Sequence, residues 1–588
     1  MDDNNSAVNA SGFRPETRIY EDVMDAFEAQ YGGNLPDPRT CEEIILQDLK
    51  SEINLENSIQ FTGCKSGGFK VPHRLPAICV ARLVIMTGRV AYIRMYDKSQ
   101  RLAIFYDHGE NKGLWKLDMD ETSDEHKELT KLIYSFNPFL TPNDFKDIEK
   151  RIFADAMTRE ESRSTRFIAV KNGVYDIQTK ELIDWDDVPK DMTFTRKINH
   201  NYIKNAPKVY LNDNDDGYTF EVDEWMLEVL DTPEKVENMY EVFADVVMPY
   251  NFESRRAVFF IDGIGNGCNA KGTMCELVTQ LAGGDKSDNV TSISLEQWGK
   301  DFMLTNVPYA TVSISHEQVE GMFFDKVDAL KAAITADPIL INVKHKSAFT
   351  YKPYIVPIFC TNSWPKVKDD TGAWQRRLLI IQFLHDYRGK KEKPYIKQRY
   401  LKDERVIEYV LSKVIENYAD RTEFTLFPYL EENLKEYRDK TRPVDMFMKE
   451  FAARFKWKVV PFTFLYDLFI TWYEDTYNKK CGIGQPTFIN DVSVWCLESD
   501  PHRQFQPSVT SNGTVQRWFC KKEWKRSMEE NEPLIYSWGL ADKFPQRYKV
   551  DFKAKEGHIQ TIPANVSGLE RLKDVDPNED VLGEPEED

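Results

Sequence analysis

The stretch Phe259–Thr273, FFIDGIGNGCNAKGT, limits the possible folds more than any other part of the chain. A short apolar run, Arg256 to Ile261, leads into Gly263, Gly265 and Gly267 and then into Lys271. The glycines let the backbone turn tightly and aim its N–H groups at phosphate, and the lysine adds a point charge for the β- and γ-phosphates. Beyond it, Met274, Leu277, Val278 and Leu281 fall at i, i+3, i+4 and i+7, which predicts a helix opening at the loop. Strand, loop and helix in this order predict an α/β domain with a largely parallel sheet. An ordinary glycine-rich strand-to-helix turn is the plainer alternative. One position departs from the pattern: Gly272 follows the lysine, where a hydroxyl for magnesium is expected.

The alternation of strands and helices continues from about 235 to 395, and three further pieces fit phosphate chemistry. Ala310 to Ser315 reads as a strand with Glu317 at its C-terminal end, where ligands bind in open parallel sheets. A carboxylate there can orient water against a γ-phosphate. The run YIVPIFCTN ends in Asn362, whose amide can hold the attacking water. In GAWQRRLLIIQF, Arg376 and Arg377 precede another strand, and in a ring such an arginine can reach the next subunit's γ-phosphate. Pro357 falls inside what should be a central strand, so the strand is predicted to begin after it or to bulge there.

At 588 residues the chain is long enough for three or four domains. Residues 1–95 hold one helical segment, IYEDVMDAFEAQY, and carry no assignable chemistry. From Arg89 to Asp118 two alternating runs flank a polar turn, and FIAVKNGVYDIQTKELIDW turns again around Asn172-Gly173, with an amphipathic helical stretch between them. Asp97, Asp107 and His108 suggest a metal cluster, but solvated strand ends are the better reading, because no tight acidic pair is present. After about 440, DMFMKEFAARF and FTFLYDLFITWYEDTY read as helices, and FQPSVTSNGTVQRWF reads as a hairpin turning at Asn512-Gly513. Helices followed by a hairpin suggest a winged-helix-like module.

The net charge of −19 argues against nucleic acid only on its face, since Thr561–Asp588 carries nine acids against two bases. That segment, rich in Pro, Glu and Asp, is predicted to be disordered. Local basic patches remain candidates for DNA, among them VKHK and the segment with Lys521, Lys522 and Lys525. The nine cysteines are scattered singly, so neither zinc nor disulfides are expected. The longest apolar runs fall far short of the ~20 residues of a membrane span, and the N-terminus lacks the marks of a signal peptide. A protein that is not exported and has no membrane partner is expected.

The order and spacing of GNGCNAKGT, VSISHE, ALKAAITADP, VKHKSAFTYKP, FCTNSWP and WQRRLLIIQF resemble the superfamily 3 helicases, in the branch shared by poxvirus primase-helicases and phage or plasmid replication proteins. The resemblance covers roughly 230 to 395. It extends more loosely to AVKNGVYDIQT and FYDHGENKGLWKLD upstream and to the winged-helix-like region downstream.

The resemblance implies an AAA+ P-loop domain, preceded by an α+β domain, that assembles as a hexamer and threads one DNA strand by hydrolysing ATP with Mg2+. It further implies that Gly265, Gly267, Asn269, Lys271, Gly272 and Thr273 cradle the nucleotide. Glu317 would activate water, Asn362 would act as the sensor, and Arg376 or Arg377 would be the finger. Lys344, His345 and Lys346 would contact DNA from a channel hairpin; from the residues alone, a solvated basic loop is an equal alternative. Where the family has Asn-Gly-Lys-Ser/Thr-Thr, this chain has Asn269-Ala270-Lys271-Gly272-Thr273. Thr273 is then the nearest metal-ligating hydroxyl, with Glu317 as the other metal residue. Ala270 is strained if its slot needs a positive φ, and His316 occupies a position where the family can carry a second acid.

The expected divisions are 1–95, of unassigned role; 96–234, the α+β domain; 235–440, the helicase domain; 441–560, the winged-helix-like domain; and 561–588, an acidic disordered tail. The expected function is that of a DNA replication helicase of a virus, phage or mobile element, working in the host-cell cytoplasm or at the replication site. A polymerase or separate primase is an expected partner, because about 95 residues are short for a primase domain. Two alternatives stand beside it, a non-hydrolysing DNA-binding initiator ring and a small-molecule P-loop kinase.

Overall fold

The computed structural model describes residues 14–60, 68–118, 123–213, 216–253, 255–264, 267–284, 287–316, 323–324, 327–344, 347–362, 364–367, 372–389, 392–455, 459–477, 480–498, 505–507, 519–520 and 565–572. Two compact units divide the chain, Met1–Leu430 and Glu431–Asp588. No helix among the described residues is long and apolar enough to cross a membrane.

The first unit opens with three helices, α1 (Glu16–Tyr31), α2 (Pro38–Gln60) and α3 (Ala77–Met86). Ile19, Val23 and Phe27 on α1, and Ile45, Leu49 and Ile53 on α2, repeat every fourth residue and so bury one stripe of each helix. β1 (Val90–Arg94) and β2 (Gln100–Phe105) form the predicted hairpin, in the register Val90↔Ile104 to Arg94↔Gln100. β3 (Trp115–Leu117) follows, then α4 (Asp124–Phe136) and α5 (Pro142–Asp155), the two helices of the predicted amphipathic stretch. A capping box starts α5: the Thr141 side chain accepts from Asp144 N, and the Asp144 carboxylate accepts from Thr141 N. β4 (Thr158–Arg159) completes a sheet of order β3-β2-β1-β4.

One core joins Ile19, Leu49, Val84, Ile104, Ile133 and Ile152. The expected boundary at 95/96 therefore falls in the turn of a hairpin whose strands share that core with the N-terminal helices. A change in sequence pattern marks that point, but a pattern does not register that the earlier helices cover the later sheet.

β5 (Phe167–Val170), β6 (Gly173–Asp176) and β7 (Glu181–Ile183) make an antiparallel meander; Val170 pairs with Gly173, so the turn is Lys171-Asn172, one residue before the predicted Asn172-Gly173. α6 (Val222–Leu230) and α7 (Pro233–Val247) lead to β8 (Ala257–Asp262), α8 (Lys271–Leu281), β9 (Val290–Thr291) and β10 (Val312–Ser315). After β11 (Phe323–Phe324) and α9 (Asp328–Ile334), β12 (Ile339–Ile341) and β13 (Phe349–Tyr351) pair as a hairpin. β14 (Val356–Thr361), β15 (Lys366–Val367), α10 (Gly372–Gln375), β16 (Leu378–Phe383), α11 (Pro394–Gln398) and α12 (Glu404–Tyr418) complete the unit.

Five of these strands form one parallel sheet of order β16-β8-β14-β10-β9. All six residues of β8 and of β14 are buried, as continuous apolar runs in a covered parallel sheet must be. Val229 of α6, Phe243 of α7, Leu277 of α8 and Val410 of α12 share a core with Val258, Phe260, Ile358 and Ile381 of the sheet. This is the α/β architecture predicted from the sequence.

Pro357 is a correction. β14 begins at Val356, before the proline, and runs through it without a break. Val356 N donates to Thr311 O on the β10 side. Successive N–H groups of a strand alternate sides, so the N–H missing at Pro357 is one that would face β8. The β8 ladder begins only at Ile358↔Val258, so nothing there is lost.

The second unit contains most of α13 (Pro428–Thr441), then α14 (Pro443–Phe451), β17 (Val459–Pro461), α15 (Phe462–Tyr477), α16 (Gln485–Glu498), β18 (Phe505–Pro507), β19 (Phe519–Cys520), β20 (Asn565–Val566) and β21 (Gly568–Arg571). Its core is aromatic, with Phe447, Phe451, Phe469, Phe488 and Trp495. The hairpin expected to turn at Asn512-Gly513 lies mostly outside the described residues; of its two ends, β18 pairs with β21 and β19 with β20. One expectation is corrected here. The predicted disordered tail contributes β20 and β21, and β21 lies between β17 and β18 with Leu569 fully buried. Eight of the nine acids in Thr561–Asp588 follow Arg571, so the composition of the far end masked a short strand at the near end that buries Leu569.

Candidate nucleotide site

Strand order places the glycine-rich loop where parallel sheets bind ligands. From β8 the chain crosses to the far edge, returns through β10 to β14 beside β8, and then reaches β16 on β8's other side. The crevice outside the C-terminal end of β8 lies at this change of direction. The loop leaves that end and α8 starts at Lys271, as predicted. Met274, Leu277, Val278 and Leu281 are all fully buried.

The loop is held by a residue that sequence reasoning missed. Asp262, the last residue of β8, accepts from Ile264 N at 2.9 Å through Oδ1 and from Gly267 N at 2.6 Å through Oδ2. An aspartate followed by glycines was the available signal, since its side chain can bond the backbone two residues on. Gly267, Cys268 and Ala270 all have positive φ, of 71°, 50° and 66°. Ala270 therefore adopts the left-handed conformation that its family slot demands, at a cost of about 1–2 kcal/mol for an L-residue.

Lys271 and Asn362 are brought together. Lys271 Nζ donates to Asn362 Oδ1 at 2.8 Å and lies 3.8 Å from Asp262 Oδ2. Asn362 follows directly on β14, beside β8, so neighbouring strand tips aim both groups at one crevice. The lysine is 8% exposed, and burial lowers its pKa while Asp262 opposes that shift. Asn269 is 3% exposed, and its Nδ2 has no hydrogen-bond partner among the described residues. A buried amide donor and a buried ammonium at the start of a helix fit a nucleotide phosphate.

Magnesium fits less well. Gly272 offers no hydroxyl, both Asp262 oxygens accept backbone N–H bonds, and no group of three metal-ligating side chains occurs among the described residues. Gly265, Glu317, His345 and Lys346 lie outside the described residues. Thr273 is the one expected metal donor within them, half-buried in the first turn of α8. His316 follows β10 and is exposed.

The arginine pair lies at the other end of the sheet. Arg376 and Arg377 precede β16, which runs parallel to β8 from Leu378↔Ala257 to Phe383↔Asp262. A six-residue strand spans ~17 Å, so neither arginine backbone lies at the loop end. Arg376 is exposed, and its carbonyl accepts from Arg256 Nη1 at 2.6 Å.

The same end carries the β12–β13 hairpin, whose tip bears exposed Lys344. Tyr351 Oη donates to Pro308 O at 3.3 Å, and Thr305 Oγ1 to Asn342 O at 3.3 Å, tying the hairpin to the segment that enters β10. Asp97 also serves this hairpin. Its carboxylate accepts from Thr350 N at 2.8 Å and from Ser99 N at 3.0 Å, while Asp107 pairs with His108. These bonds account for the three residues without a metal.

A family of unknown function, DUF5906, matches residues 264–377, which run from the loop to the arginine pair. No curated protein matches the chain. Among solved structures, an A-form apo structure of the NrS-1 C-terminal region is 12% identical, with a TM-score of 0.40, covering 68% of this chain and 91% of that one. A second A-form apo structure of the region is 11% identical, with a TM-score of 0.40, covering 84% and 100%. A third apo structure is 12% identical, with a TM-score of 0.39, covering 70% and 92%. At these scores the likeness carries no argument about fold or function.

Proposed function

We propose that this chain is an ATP-dependent DNA helicase of viral, phage or mobile-element replication, an AAA+ protein that translocates on one strand as a hexameric ring. The observation that carries the reading is the 2.8 Å bond between Lys271 and Asn362, made across adjacent strand tips beside a glycine-rich loop. In this reading ATP is held by the loop backbone, Asn269 and Lys271, and supplies the phosphoryl group whose hydrolysis drives movement. Lys271 neutralises phosphate charge, Asn362 orients water, and Glu317 removes its proton. Any magnesium ion would be held through Thr273.

The distance between the two ends of the sheet supports a role for Arg376 or Arg377 in a neighbouring subunit. The basic hairpin supports a DNA path on that same side. In the second unit, the succession α14, β17, α15, α16, β18 and β21, with β21 central in the three-stranded sheet beside the β19–β20 pair, supports a winged-helix-like module. The test is ATP turnover by the purified chain with and without single-stranded DNA. Stimulation that disappears in Glu317→Gln supports the helicase reading.

Gly272 specifically favours a second reading, a ring that binds nucleotide and DNA without hydrolysis. Magnesium-dependent turnover absent from the wild type and created by Gly272→Ser would establish that reading instead.

A further inference from the structure

Gly272 is the second residue of α8, where the side chain of a phosphate loop normally presents its hydroxyl to a phosphate-bound metal. A Cβ built there meets one heavy atom within 4 Å, the Nζ of Lys397 at 3.8 Å. The absent side chain would therefore point at an ammonium group. Lys397 belongs to α11, is exposed, and makes no hydrogen bond or ion pair with any described residue.

Between this lysine and the loop lies a cavity of about 210 Å³, lined by Ala270, Thr273, Lys393 and Lys397 and, with opposite charge, by Glu228 and Glu392. Tyr387 N donates to Cys268 O at 2.9 Å, so the segment leading to α11 is tied directly to the loop. Asn269, whose buried Nδ2 has no hydrogen-bond partner among the described residues, belongs to the same loop but does not line the cavity.

We propose that Lys397 is a second phosphate-binding lysine, which takes over the charge neutralisation that a metal held at position 272 would provide. A nucleoside triphosphate then binds this loop with little dependence on magnesium. The physical reason is competition between like charges: an ammonium beside the phosphates lowers their negative potential and repels a divalent cation from the same place. Gly272 fits this arrangement because it brings no hydroxyl for a metal, while the ammonium lies within van der Waals reach of the place its side chain would take. The inference rests on the nucleotide reading of the loop.

The test is titration of the full-length chain with a fluorescent ATP analogue, in excess magnesium and in excess EDTA. Wild-type affinity should differ by less than about threefold between the two conditions. Lys397→Met should lose about tenfold or more in EDTA, and Lys397→Arg should regain most of it. Gly272→Ser combined with Lys397→Met should bind well only with magnesium, which moves the chain to the usual metal-dependent arrangement. Wild-type binding that collapses in EDTA overturns the proposal. Binding lost in Lys271→Ala but unchanged in Lys397→Met also overturns it, while leaving the nucleotide reading intact. No binding by the wild type under either condition overturns both.

Discussion

The two ends of the parallel sheet are built on opposite principles. At the loop end, Asp262, Lys271 and Asn362 are drawn together within one chain, buried or bonded, and directed into one crevice. At the other end Arg376 and Lys344 project into solvent. Groups that finish their contacts inside the chain act on a ligand brought to them. Cations left exposed at a strand entrance suit an anion carried by another molecule, whether a neighbouring subunit's phosphate or a DNA backbone. On the proposed helicase reading, the division would assign binding to one end and coupling to the other.

The sharpest way to break this contrast is at the arginines. Arg376→Ala or Arg377→Ala should lower DNA-stimulated turnover by about 1,000-fold for the residue acting as finger, with nucleotide affinity kept. Mixing that variant with Glu317→Gln should restore part of the activity, at interfaces that combine an intact acid with an intact arginine. Loss of nucleotide affinity in the arginine variant would place both ends in one site.

At the loop end, Lys271→Ala should weaken nucleotide binding by about 100-fold, read by the same titration, and leave DNA affinity in the absence of nucleotide unchanged. Smaller still is the effect at the hairpin. Lys344→Ala should flatten the salt dependence of DNA binding by about one phosphate contact and spare nucleotide binding. An unchanged slope would move the DNA path elsewhere, with the segment of Lys521, Lys522 and Lys525 as the next candidate. The smallest expected change is in stability: Ala270→Gly relieves a left-handed alanine and should raise unfolding stability by about 0.5–1 kcal/mol, seen as a higher denaturant midpoint.

The loop end was largely legible in the sequence because its signals are local. Strand, glycines, lysine and helix follow within Phe259–Leu281, and Asn362 is marked by the apolar run before it. Even the strain at Ala270 could be read, from a slot that asks for glycine. Lys397 could not be read, since nothing in the sequence places a short helix after β16 over the first turn of α8. Asp262 was legible in principle and missed, because an aspartate at a strand end was absorbed into the run before it. The N-terminal core was missed for a different reason: helices α1 to α3 carry clear apolar stripes, but a stripe does not name the sheet it covers. Leu569 was hidden by the acids beyond it.

The sheet order also has a consequence in time. β8 takes its two neighbours, β14 and β16, from far downstream, and Asn362 lies 91 positions after Lys271. At about 5–20 residues per second, the loop leaves the ribosome roughly 5–20 seconds before its partner residue exists. During that interval the turn bonded to Asp262 can already form, because its contacts are local, but the apolar strand before it has neither flanking strand. An unpaired six-residue apolar strand invites association with other chains or with chaperones. A chain interrupted between these strands carries the loop residues without the sheet that aims them.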